Sequence, residues 1–347
     1  MGGLTVNRSS IQTVSLARRK VLLGLAACTA MMFSLAGTGS ASANDTVIAM
    51  MPKFTSDPYF VAANKGAQEA AAELGIKVEF NGPVDANVAA QSDLIDSWVR
   101  RKVSAIAVSA NDPDALVPAM KRAQDAGIKT MTWDADVGAA GRSVFLNQAT
   151  FPDMGRTMVE MMVRDAGTSE GDFLIITAVL TSPNQNRWIE EMKKYAAEKY
   201  PGMKFAAVLP GDEDLEKSKN VALNYLQANP GTKGVFCVTG IATPGVLEAV
   251  KQLGLVGKVT VTGLGVPSLI KPYLKDGSLK EAALWNPIDI GYGAIYITKA
   301  LLDGTLDPAS GVVEAGRLGK LKFISKDTVL LGDPYIFTKD NVDKFDF

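Results

Sequence analysis

Carboxylate, amide, lysine and aromatic side chains recur in this chain at the points where apolar segments end. A hydroxyl group both donates and accepts a hydrogen bond, so it pairs well with Asp, Asn, Gln and Lys side chains. The C–H face of a sugar ring stacks on aromatic rings. We therefore predict a site for a neutral polyhydroxylated solute. The predicted site consists of Lys53, Tyr59, Phe60, Asn111, Asp134, Asp136, Gln148, Asn184, Gln185, Asn186, Thr239, Gly265, Trp285 and Asn286.

Several kinds of chemistry are excluded by the composition. The 347 residues include no histidine, which excludes Ser–His–Asp and Cys–His nucleophiles, histidine metal ligands and imidazole acid–base catalysis. The 36 Lys and Arg residues balance 37 Asp and Glu residues, so no basic surface for nucleic acid is indicated. Asp134 and Asp136 leave one enzymatic alternative, a secreted glycosidase that uses two carboxylates as acid and base. We predict a binding protein without cofactor or metal rather than an enzyme.

The first 43 residues have the pattern of an export signal. A basic cluster, Arg18–Lys20, precedes a run without charged residues that lasts until Asp45 and contains Ala41–Ala43, an A-x-A cleavage site. This pattern predicts a signal peptide over residues 1–43 and a periplasmic mature chain, with an uncleaved membrane anchor as the alternative. The residues Leu25–Cys28 also resemble a lipoprotein box. The two arginines of the basic cluster resemble a twin-arginine export signal. Without this segment Cys237 is the only cysteine, so a disulfide within the mature chain is excluded.

From residue 44 onward, apolar strand-like segments alternate with amphipathic helical segments. The predicted strands are Val47–Met51, Lys77–Phe80, Ala105–Ala110, Lys129–Trp133, Phe173–Val179, Lys204–Val208, Gly234–Val238, Val259–Leu264 and Glu281–Trp285. The predicted helices, with apolar residues at helical spacing, are Pro58–Leu74, Val88–Arg101, Ala115–Ala126, Met154–Asp165, Gln185–Lys199, Leu215–Gln227 and Pro244–Leu253. Because the strands are continuously apolar, they are expected to be buried on both faces, as in parallel sheets with crossover helices. The predicted fold class is therefore α/β.

The strand–helix pattern occurs in two halves. The first set of units ends near Trp133, a short segment Ser143–Asn147 follows, and the second set begins near Gly171. Each half has the size of one doubly wound domain. Ligands of such sheets bind beyond the carboxyl ends of the strands, which is where the predicted site residues lie.

Six ordered segments carry a resemblance to a known family. They are Met51–Lys53, Ala107–Leu116, Thr132–Asp136, Asn184–Trp188, Val261–Gly265 and Leu284–Tyr292. In these segments the chain resembles periplasmic sugar-binding proteins of the ribose-binding type, and most closely the rhamnose-binding and autoinducer-2-binding receptors of bacterial ABC importers. The resemblance implies a type I periplasmic binding protein fold, with two doubly wound parallel-sheet domains joined by a three-segment hinge. The N-terminal lobe is expected over residues 44–148 and 285–310, and the C-terminal lobe over residues 149–284 and 311–347.

The resemblance also implies a function. Lys53, Asp134, Asn184 and Gln185 match family positions that contact the ligand, and this ligand is expected to be rhamnose or a related deoxysugar. The receptor is expected to close around the sugar and to deliver it to the membrane permease and ATPase subunits of an ABC importer, with no nucleic-acid partner. Autoinducer-2, a polyol or a pentose is the alternative ligand, and signalling to a chemoreceptor is an alternative to transport.

Three departures from the family pattern bear on the ligand. Autoinducer-2 receptors have Asp where this chain has Asn184, and Asp again where it has Thr239. Ribose receptors have Asp at the position of Gly265. These differences favour rhamnose over autoinducer-2 and over ribose.

Overall fold

The computed structural model describes residues 1–3 and 46–347. Apart from its first three residues, the predicted signal peptide lies outside the described residues, as does the predicted cleavage after Ala43. Within the described ranges, no helix is long and apolar enough to cross a membrane.

Fourteen strands form the sheets of the described chain. They are β1 (Val47–Met51), β2 (Lys77–Phe80), β3 (Ala105–Val108), β4 (Lys129–Trp133), β5 (Val144–Asn147), β6 (Gly171–Thr177), β7 (Met203–Pro210), β8 (Gly234–Cys237), β9 (Thr260–Gly263), β10 (Glu281–Leu284), β11 (Val312–Glu314), β12 (Lys320–Ser325), β13 (Thr328–Leu330) and β14 (Tyr335–Thr338). In β3 and β8 every residue is buried. Such continuously apolar strands are covered on both faces of a sheet.

Nine α-helices connect these strands within residues 46–347. They are α1 (Pro58–Leu74), α2 (Val88–Arg101), α3 (Val117–Asp125), α4 (Phe151–Ala166), α5 (Pro183–Lys199), α6 (Leu215–Ala228), α7 (Ala242–Gln252), α8 (Pro267–Asp276) and α9 (Pro287–Leu302). Local sequence explains where α1 begins and ends. The Asp57 carboxylate accepts a hydrogen bond from the Tyr59 backbone N–H at 2.8 Å, and Pro58 occupies the first helical position. Gly75, with φ 64°, ends α1 in the left-handed conformation that glycine adopts most readily.

The first sheet has eight strands in the order β11-β12-β13-β5-β4-β3-β1-β2. Its strands from β13 to β2 are parallel, whereas β11 pairs antiparallel with β12, and β12 antiparallel with β13. The carboxyl ends of β1, β3 and β4 are therefore neighbours at one edge of the sheet. The segments that follow these three strands carry Lys53, Ser109 and Asp134.

The second sheet has the parallel order β7-β6-β8-β9. Strand β10 continues it through a parallel bridge between Leu264 and Ala283, and β14 pairs antiparallel with β10. The expected α/β architecture of two parallel sheets with crossover helices is therefore confirmed.

The chain passes between the two halves three times: between β5 and α4, between β10 and α9, and between β13 and β14. The expectation that all of residues 311–347 belong to the C-terminal lobe is wrong for residues 312–330. Strand β13 pairs in parallel with β5, and β12 and β11 extend this edge. Without β13, β5 would be an edge strand with unpaired backbone groups. Strand β13 pairs with these groups, and β12 and β11 continue the sheet beyond it.

The nine predicted strands and seven predicted helices are all present, with ends that differ by a few residues. Helices α8 and α9 and the five strands β5 and β11–β14 were not predicted as such, although β5 falls within the short segment Ser143–Asn147. Helix α9 is buried on several faces, so its sequence has no single apolar stripe from which a helix could be predicted. The C-terminal strands are three to six residues long, and short strands carry little periodicity.

Helix α1 packs closely against α9 through two glycines. A Cβ atom on Gly66 would lie 1.8 Å from the Ile288 carbonyl oxygen, and one on Gly291 would lie 1.9 Å from the Ala63 carbonyl oxygen. Only glycine permits such a close approach of two backbones. This contact holds the middle of α1 against the first two turns of α9, and the second passage between the halves directly precedes α9.

Candidate ligand-binding cleft

A cavity lies between the two halves, where the carboxyl ends of strands from both sheets meet. Small-molecule sites often lie at such interfaces between two domains. The lining of the cavity combines four charged side chains, four aromatic rings and an aliphatic wall. The lining residues are Lys53, Asp57, Tyr59, Phe60, Asp134, Asn184, Gln185, Trp188, Glu213, Val238, Thr239, Gly240, Leu264, Val266, Leu284 and Trp285.

Eight of the predicted site residues line this cavity, and the other six do not. The eight are Lys53, Tyr59, Phe60, Asp134, Asn184, Gln185, Thr239 and Trp285. They come from segments that follow β1, β4, β6, β8 and β10. The parallel topology therefore brings these eight residues together. That they contact a ligand remains a prediction.

Lys53 joins the two halves across the cavity. It follows β1, is 4% exposed, and its Nζ atom donates to Ser182 Oγ and to Asn184 Oδ1, both at 2.9 Å. Both acceptors lie at the start of α5 in the other half. A second link is close by, since Thr181 Oγ1 donates to the Asn111 carbonyl oxygen at 3.1 Å. The structure therefore shows the two halves closed on each other.

Asp134 is a fixed acceptor at the end of β4. Its Oδ2 atom accepts from Ser109 Oγ at 2.7 Å, and its Oδ1 atom accepts from the Tyr59 hydroxyl at 3.2 Å. The backbone of Asp134 has φ 60°, in the left-handed region that Asp tolerates better than most residues. Its backbone N–H donates to the Leu146 carbonyl oxygen at 3.2 Å. The neighbouring strand thereby holds Asp134 in this uncommon conformation.

Aromatic rings form one side of the cavity. The Trp285 indole N–H donates to the Tyr59 hydroxyl at 2.7 Å, and the two rings meet edge to face at 5.9 Å. Tyr59 also meets Phe60 edge to face at 4.9 Å, and Trp188 lies against Trp285 with ring centroids 5.7 Å apart. Edge-to-face pairs of this kind fix ring orientation. The aromatic rings therefore form a rigid apolar surface on one side of the cavity.

Gln185 and Glu213 form the polar side contributed by the second half. Gln185 Oε1 accepts from Thr177 Oγ1 at 2.6 Å and from the Ala178 N–H at 2.7 Å, which sets the orientation of the amide. Its Nε2 atom then donates to Glu213 Oε1 at 3.4 Å. The other Glu213 oxygen accepts from the Thr239 hydroxyl. Glu213 has φ 53°, so two carboxylates of this cavity lie on left-handed backbone.

Three carboxyl groups share the cavity with one lysine. Burial raises the pKa of Asp57 to about 7, and the nearby Glu213 carboxylate adds to the rise. Burial also raises the pKa of Asp134 and the pKa of Glu213, although Lys53 opposes both shifts. Mutual repulsion among the carboxylates disfavours an anionic ligand, whereas hydroxyl groups can donate to them.

Sequence reasoning did not assign Asp57, Glu213 or Trp188 to the site. Because Asp57 precedes a proline, the sequence predicts that it caps a helix. In the structure Asp57 caps α1 and also lines the cavity. Its position in the segment between the first strand and the first α-helix was the available signal. Glu213 lies in an acidic loop after β7 that has no distinguishing pattern, and Trp188 reads as helix core. The other lining residues that were not predicted are Val238, Gly240, Leu264, Val266 and Leu284.

Asp136 and Asn111 were predicted to contact the ligand, but they do not line the cavity. The Asp136 carboxylate is paired with Arg142 at 2.8 Å and accepts from the Thr132 hydroxyl. Asn111 lies behind Lys53, where its Nδ2 atom donates to the Lys53 carbonyl oxygen at 2.8 Å. Asp136 therefore stabilises the loop after β4, and Asn111 supports the lysine from outside the cavity. The ion pair of Asp136 with Arg142 is evidence against an acid–base pair with Asp134, and contact of Asp136 or Asn111 with a ligand stays a prediction.

The other four predicted residues also lie elsewhere. Asn186 donates from its Nδ2 atom to the Leu180 carbonyl oxygen at 2.8 Å, outside the cavity. Gly265 lies between α8 and β10, where a Cβ atom would meet neighbouring side chains. Asn286 caps α9. Gln148 is part of a different cavity that borders on the three passages between the halves.

Comparisons with known proteins agree with this architecture. A family model described as a periplasmic binding protein domain matches residues 48–306. The D-allose-binding periplasmic protein of Escherichia coli (strain K12) is 27% identical over 255 residues, which are 70% of this chain and 80% of that protein.

Two solved structures extend the likeness to three dimensions. LsrB from Clostridium saccharobutylicum, solved in complex with AI-2, is 29% identical with a TM-score of 0.82, and the match covers 87% of this chain and 100% of that one. An ABC transporter solute-binding protein from Clostridium phytofermentas with bound L-rhamnose is 28% identical with a TM-score of 0.79, covering 86% of this chain and 97% of that one.

These matches confirm the resemblance that the six sequence segments indicated. The relatives are named for binding and transport, so the interpretation as a binding protein rather than an enzyme is confirmed. The family model alone spans most of the chain. The chain belongs to the periplasmic binding protein domain family.

Proposed function

We propose that the protein is a periplasmic receptor of an ABC importer that captures a neutral sugar, rhamnose or a related deoxysugar, in the cavity between its lobes. One observation carries this proposal: Lys53 and Asp134 from one half, and Asn184 and Gln185 from the other, converge on one closed cavity. In a hinge-closing receptor both lobes contact the ligand and exclude water from it. A permease then receives the ligand from the closed receptor.

The polar groups of the cavity suit the hydroxyl groups of a sugar. Asp134 accepts hydrogen bonds, while Lys53 and Gln185 have N–H groups that donate them. Each charge-assisted hydrogen bond contributes ~1.5–3 kcal/mol. Submicromolar binding needs about −8 kcal/mol, which a few such bonds can supply together with stacking on Trp285 and Tyr59.

The aliphatic wall supports a deoxysugar over a fully hydroxylated one. Val238, Leu264 and Leu284 also line the cavity, and none of their side chains can form a hydrogen bond. A hydroxyl group against this wall would lose its water partners without gaining others, which is unfavourable. A methyl group gains from the same contact.

The relatives support the same ligand class, because they are named for D-allose, L-rhamnose and AI-2. The likeness to LsrB makes AI-2 the second candidate ligand. Against it stand Asn184 and Thr239, at positions where autoinducer-2 receptors carry Asp. Both candidates belong in the same binding experiment.

Closure is proposed to follow from ligand binding. The hydrogen bonds of Lys53 to Ser182 and Asn184 form only when the halves approach each other, and the three passages between the halves act as the hinge. A ligand that contacts both halves stabilises the closed state relative to the open one. We assign residues 312–330 to the N-terminal lobe on the basis of their strand pairing. The signal peptide over residues 1–43 and its cleavage after Ala43 are part of the same proposal.

Thermal-shift measurements against a panel of sugars test the proposal. The panel contains L-rhamnose, a second 6-deoxyhexose, D-ribose, D-allose, xylitol and AI-2, each measured with the wild-type protein and with Asp134→Asn. A ligand at 100 times its dissociation constant stabilises the folded state by ~2.7 kcal/mol. We expect L-rhamnose or the other deoxyhexose to give the largest shift, and this shift to shrink in Asp134→Asn.

Two results would contradict the proposal. If D-ribose or D-allose gives the larger shift, the assignment of a deoxysugar is wrong, although a sugar receptor remains. If no sugar stabilises the protein and purified protein hydrolyses aryl glycosides, the receptor function itself is wrong.

A further inference from the structure

One buried polar side chain, that of Gln91, lies behind the candidate sugar cavity. It belongs to α2, is 0% exposed and does not line the cavity. The other buried residues of α2 are Ile95 and Trp98, one and two turns further along the same face of the helix. Helical spacing therefore predicts an apolar residue at position 91. A glutamine there needs hydrogen bonds that offset the loss of its water partners.

The Gln91 amide bonds to three backbone groups of two loops. Its Nε2 atom donates to the Pro52 carbonyl oxygen at 3.1 Å and to the Ser109 carbonyl oxygen at 2.9 Å. Its Oε1 atom accepts from the Asn111 backbone N–H at 3.0 Å. Because two partners are carbonyl groups and the third is an N–H group, only this orientation of the amide satisfies all three. One side chain thus connects the loop after β1 with the loop after β3.

These two loops lead to Lys53 and Asp134 in the cavity. Lys53 directly follows Pro52 in the chain, and its carbonyl oxygen accepts from Asn111 Nδ2 at 2.8 Å. The Ser109 hydroxyl donates to Asp134 Oδ2 at 2.7 Å. The glutamine amide therefore reaches the lysine through two of its hydrogen bonds and the aspartate through the third.

We propose that Gln91 is a positioning residue for sugar binding, which holds Lys53 and Asp134 at a fixed separation from behind the cavity. The proposal rests on the proposed function, since it concerns the same sugar and the same site. Polar groups of a binding site must be held within ~0.5 Å of their productive geometry by the residues that support them. An apolar side chain at position 91 fills the same space, but the two loops are then free to shift relative to each other.

Calorimetric titration of the full protein tests this role. Gln91→Met keeps the side-chain length and removes all three hydrogen bonds. L-rhamnose is the probe, and D-allose and AI-2 are titrated in parallel. We expect Gln91→Met to weaken binding at least ~10-fold, because the polar groups of the cavity lose their alignment. Ile95→Val is the control, since it removes a methyl group from the same buried face of α2 and should bind as the wild type does.

A double-mutant cycle separates positioning from a general loss of stability. If Gln91 acts through Asp134, its replacement matters less once the carboxylate is gone. We expect the loss of affinity caused by Gln91→Met to be at least ~3-fold smaller when Asp134→Asn is already present. A loss that comes from a weakened fold alone is the same in both backgrounds.

Amide hydrogen exchange without any ligand provides a measurement that does not depend on the sugar. In Gln91→Met, exchange should accelerate in the loop after β1 and in the loop after β3, including the Asn111 N–H that has lost its acceptor. Exchange within β1 and β3 should change less, because local opening leaves the strands paired. In Ile95→Val the two loops should exchange as in the wild type.

Three results would overturn the proposal. Wild-type affinity in Gln91→Met means that its hydrogen bonds do not align the cavity. An equal loss of affinity with and without Asp134→Asn means that Gln91 supports the fold only. Unchanged exchange in both loops means that the amide does not hold them. If the wild type binds none of the three ligands, the proposed function is wrong, and accelerated exchange then leaves Gln91 a purely structural role.

Gln91→Glu takes the place of Gln91→Met if the latter folds poorly. Its carboxyl group can accept from the Asn111 N–H in either protonation state, but it donates to a carbonyl oxygen only when it is protonated. Burial beside two carbonyl oxygens raises the pKa of this carboxyl group. The affinity of Gln91→Glu for L-rhamnose, relative to the wild type at the same pH, should therefore rise as the pH falls. A ratio that does not change with pH would contradict the positioning role.

Discussion

The Lys53 Nζ atom donates a hydrogen bond to the Asn184 Oδ1 atom at 2.9 Å, across the boundary between the two halves. The two residues are 131 positions apart in the chain. One follows β1 of the first sheet, and the other lies in the first turn of α5 beside the second sheet. Because both also line the cavity, this hydrogen bond connects closure of the halves with the place where a ligand is proposed to bind.

Replacement of this lysine should weaken sugar binding. Lys53→Met keeps the aliphatic part of the side chain but removes the N–H donors, which leaves the Ser182 Oγ and Asn184 Oδ1 atoms without a donor across the cleft. Truncation of one partner of a buried charged hydrogen bond lowers affinity by ~2–5 kcal/mol. Calorimetric titration with the sugar that stabilises the wild type most should show this loss. The exposed Lys193 on α5 provides the control, since Lys193→Met should bind as the wild type does.

The two aspartates after β4 should behave differently. Asp134→Asn is expected to weaken sugar binding by ~1.5–3 kcal/mol, because a charged acceptor in the cavity becomes a neutral one. Asn tolerates the left-handed backbone at φ 60°, so the fold should be retained.

Asp136→Asn serves as the matched variant. It should leave affinity unchanged and lower the melting temperature, because it breaks the ion pair with the largely buried Arg142. Sugar affinity by calorimetry and melting temperature by circular dichroism separate the two effects. Equal loss of affinity in both variants would show that the cavity does not distinguish these carboxylates.

Asp57 should make stability depend on pH. Burial raises its pKa from 3.8 to about 7, so the folded state holds this proton at pH values where the unfolded state has released it. The stabilisation that Asp57 contributes is complete below about pH 4 and is lost as pH rises towards about 7. Asp57→Asn should therefore flatten the pH dependence in this window and raise stability above it.

Urea unfolding at a series of pH values, with the sugar that stabilises the wild type most at a saturating concentration, measures this effect, because the burial of Asp57 beside Glu213 belongs to the closed state. Asparagine retains an oxygen that can accept from the Tyr59 N–H and cap α1, so loss of the cap does not complicate the comparison. Asp112→Asn is the control, because Asp112 also accepts from backbone N–H groups in a turn but lies outside the cavity. If Asp57→Asn and the wild type give parallel curves, Asp57 does not titrate in this window.

The contact between α1 and α9 should be intolerant of a side chain. In Gly66→Ala, the new Cβ atom would lie 1.8 Å from the Ile288 carbonyl oxygen, so the two helices must separate. Overpacking of this kind is destabilising by ~1–3 kcal/mol, measured as a lower urea midpoint. Gly231→Ala should remain within about 0.5 kcal/mol of the wild type, because nothing lies within 4 Å of its Cβ position. A wild-type midpoint for Gly66→Ala would show that α1 and α9 can move apart freely.

Local patterns were sufficient for most of the fold. The strand over Val47–Met51 and the helix over Pro58–Leu74 have the predicted bounds, because continuous apolar runs, a proline at the first turn and a glycine at the end act through neighbouring residues. The C-terminal strands β11–β13 could not be predicted, because their pairing depends on a segment that is distant in the sequence. Strand β13 pairs with β5, more than 160 residues earlier, and β12 and β11 continue the sheet from β13. No local pattern records the pairing of β13 with β5.

The alternation of strands and helices, the parallel sheets and the polar residues at the strand ends could all be predicted, since they follow from periodicity and chain direction. Which of these polar residues face the cavity could be seen only once the chain was folded. Asp134 and Asp136 are two positions apart, yet the first is directed to the cavity and the second to Arg142. Glu213 reaches the same cavity from a loop with no predictive pattern. The physical reason is that a side chain's direction depends on packing between segments distant in sequence, which no local spacing specifies.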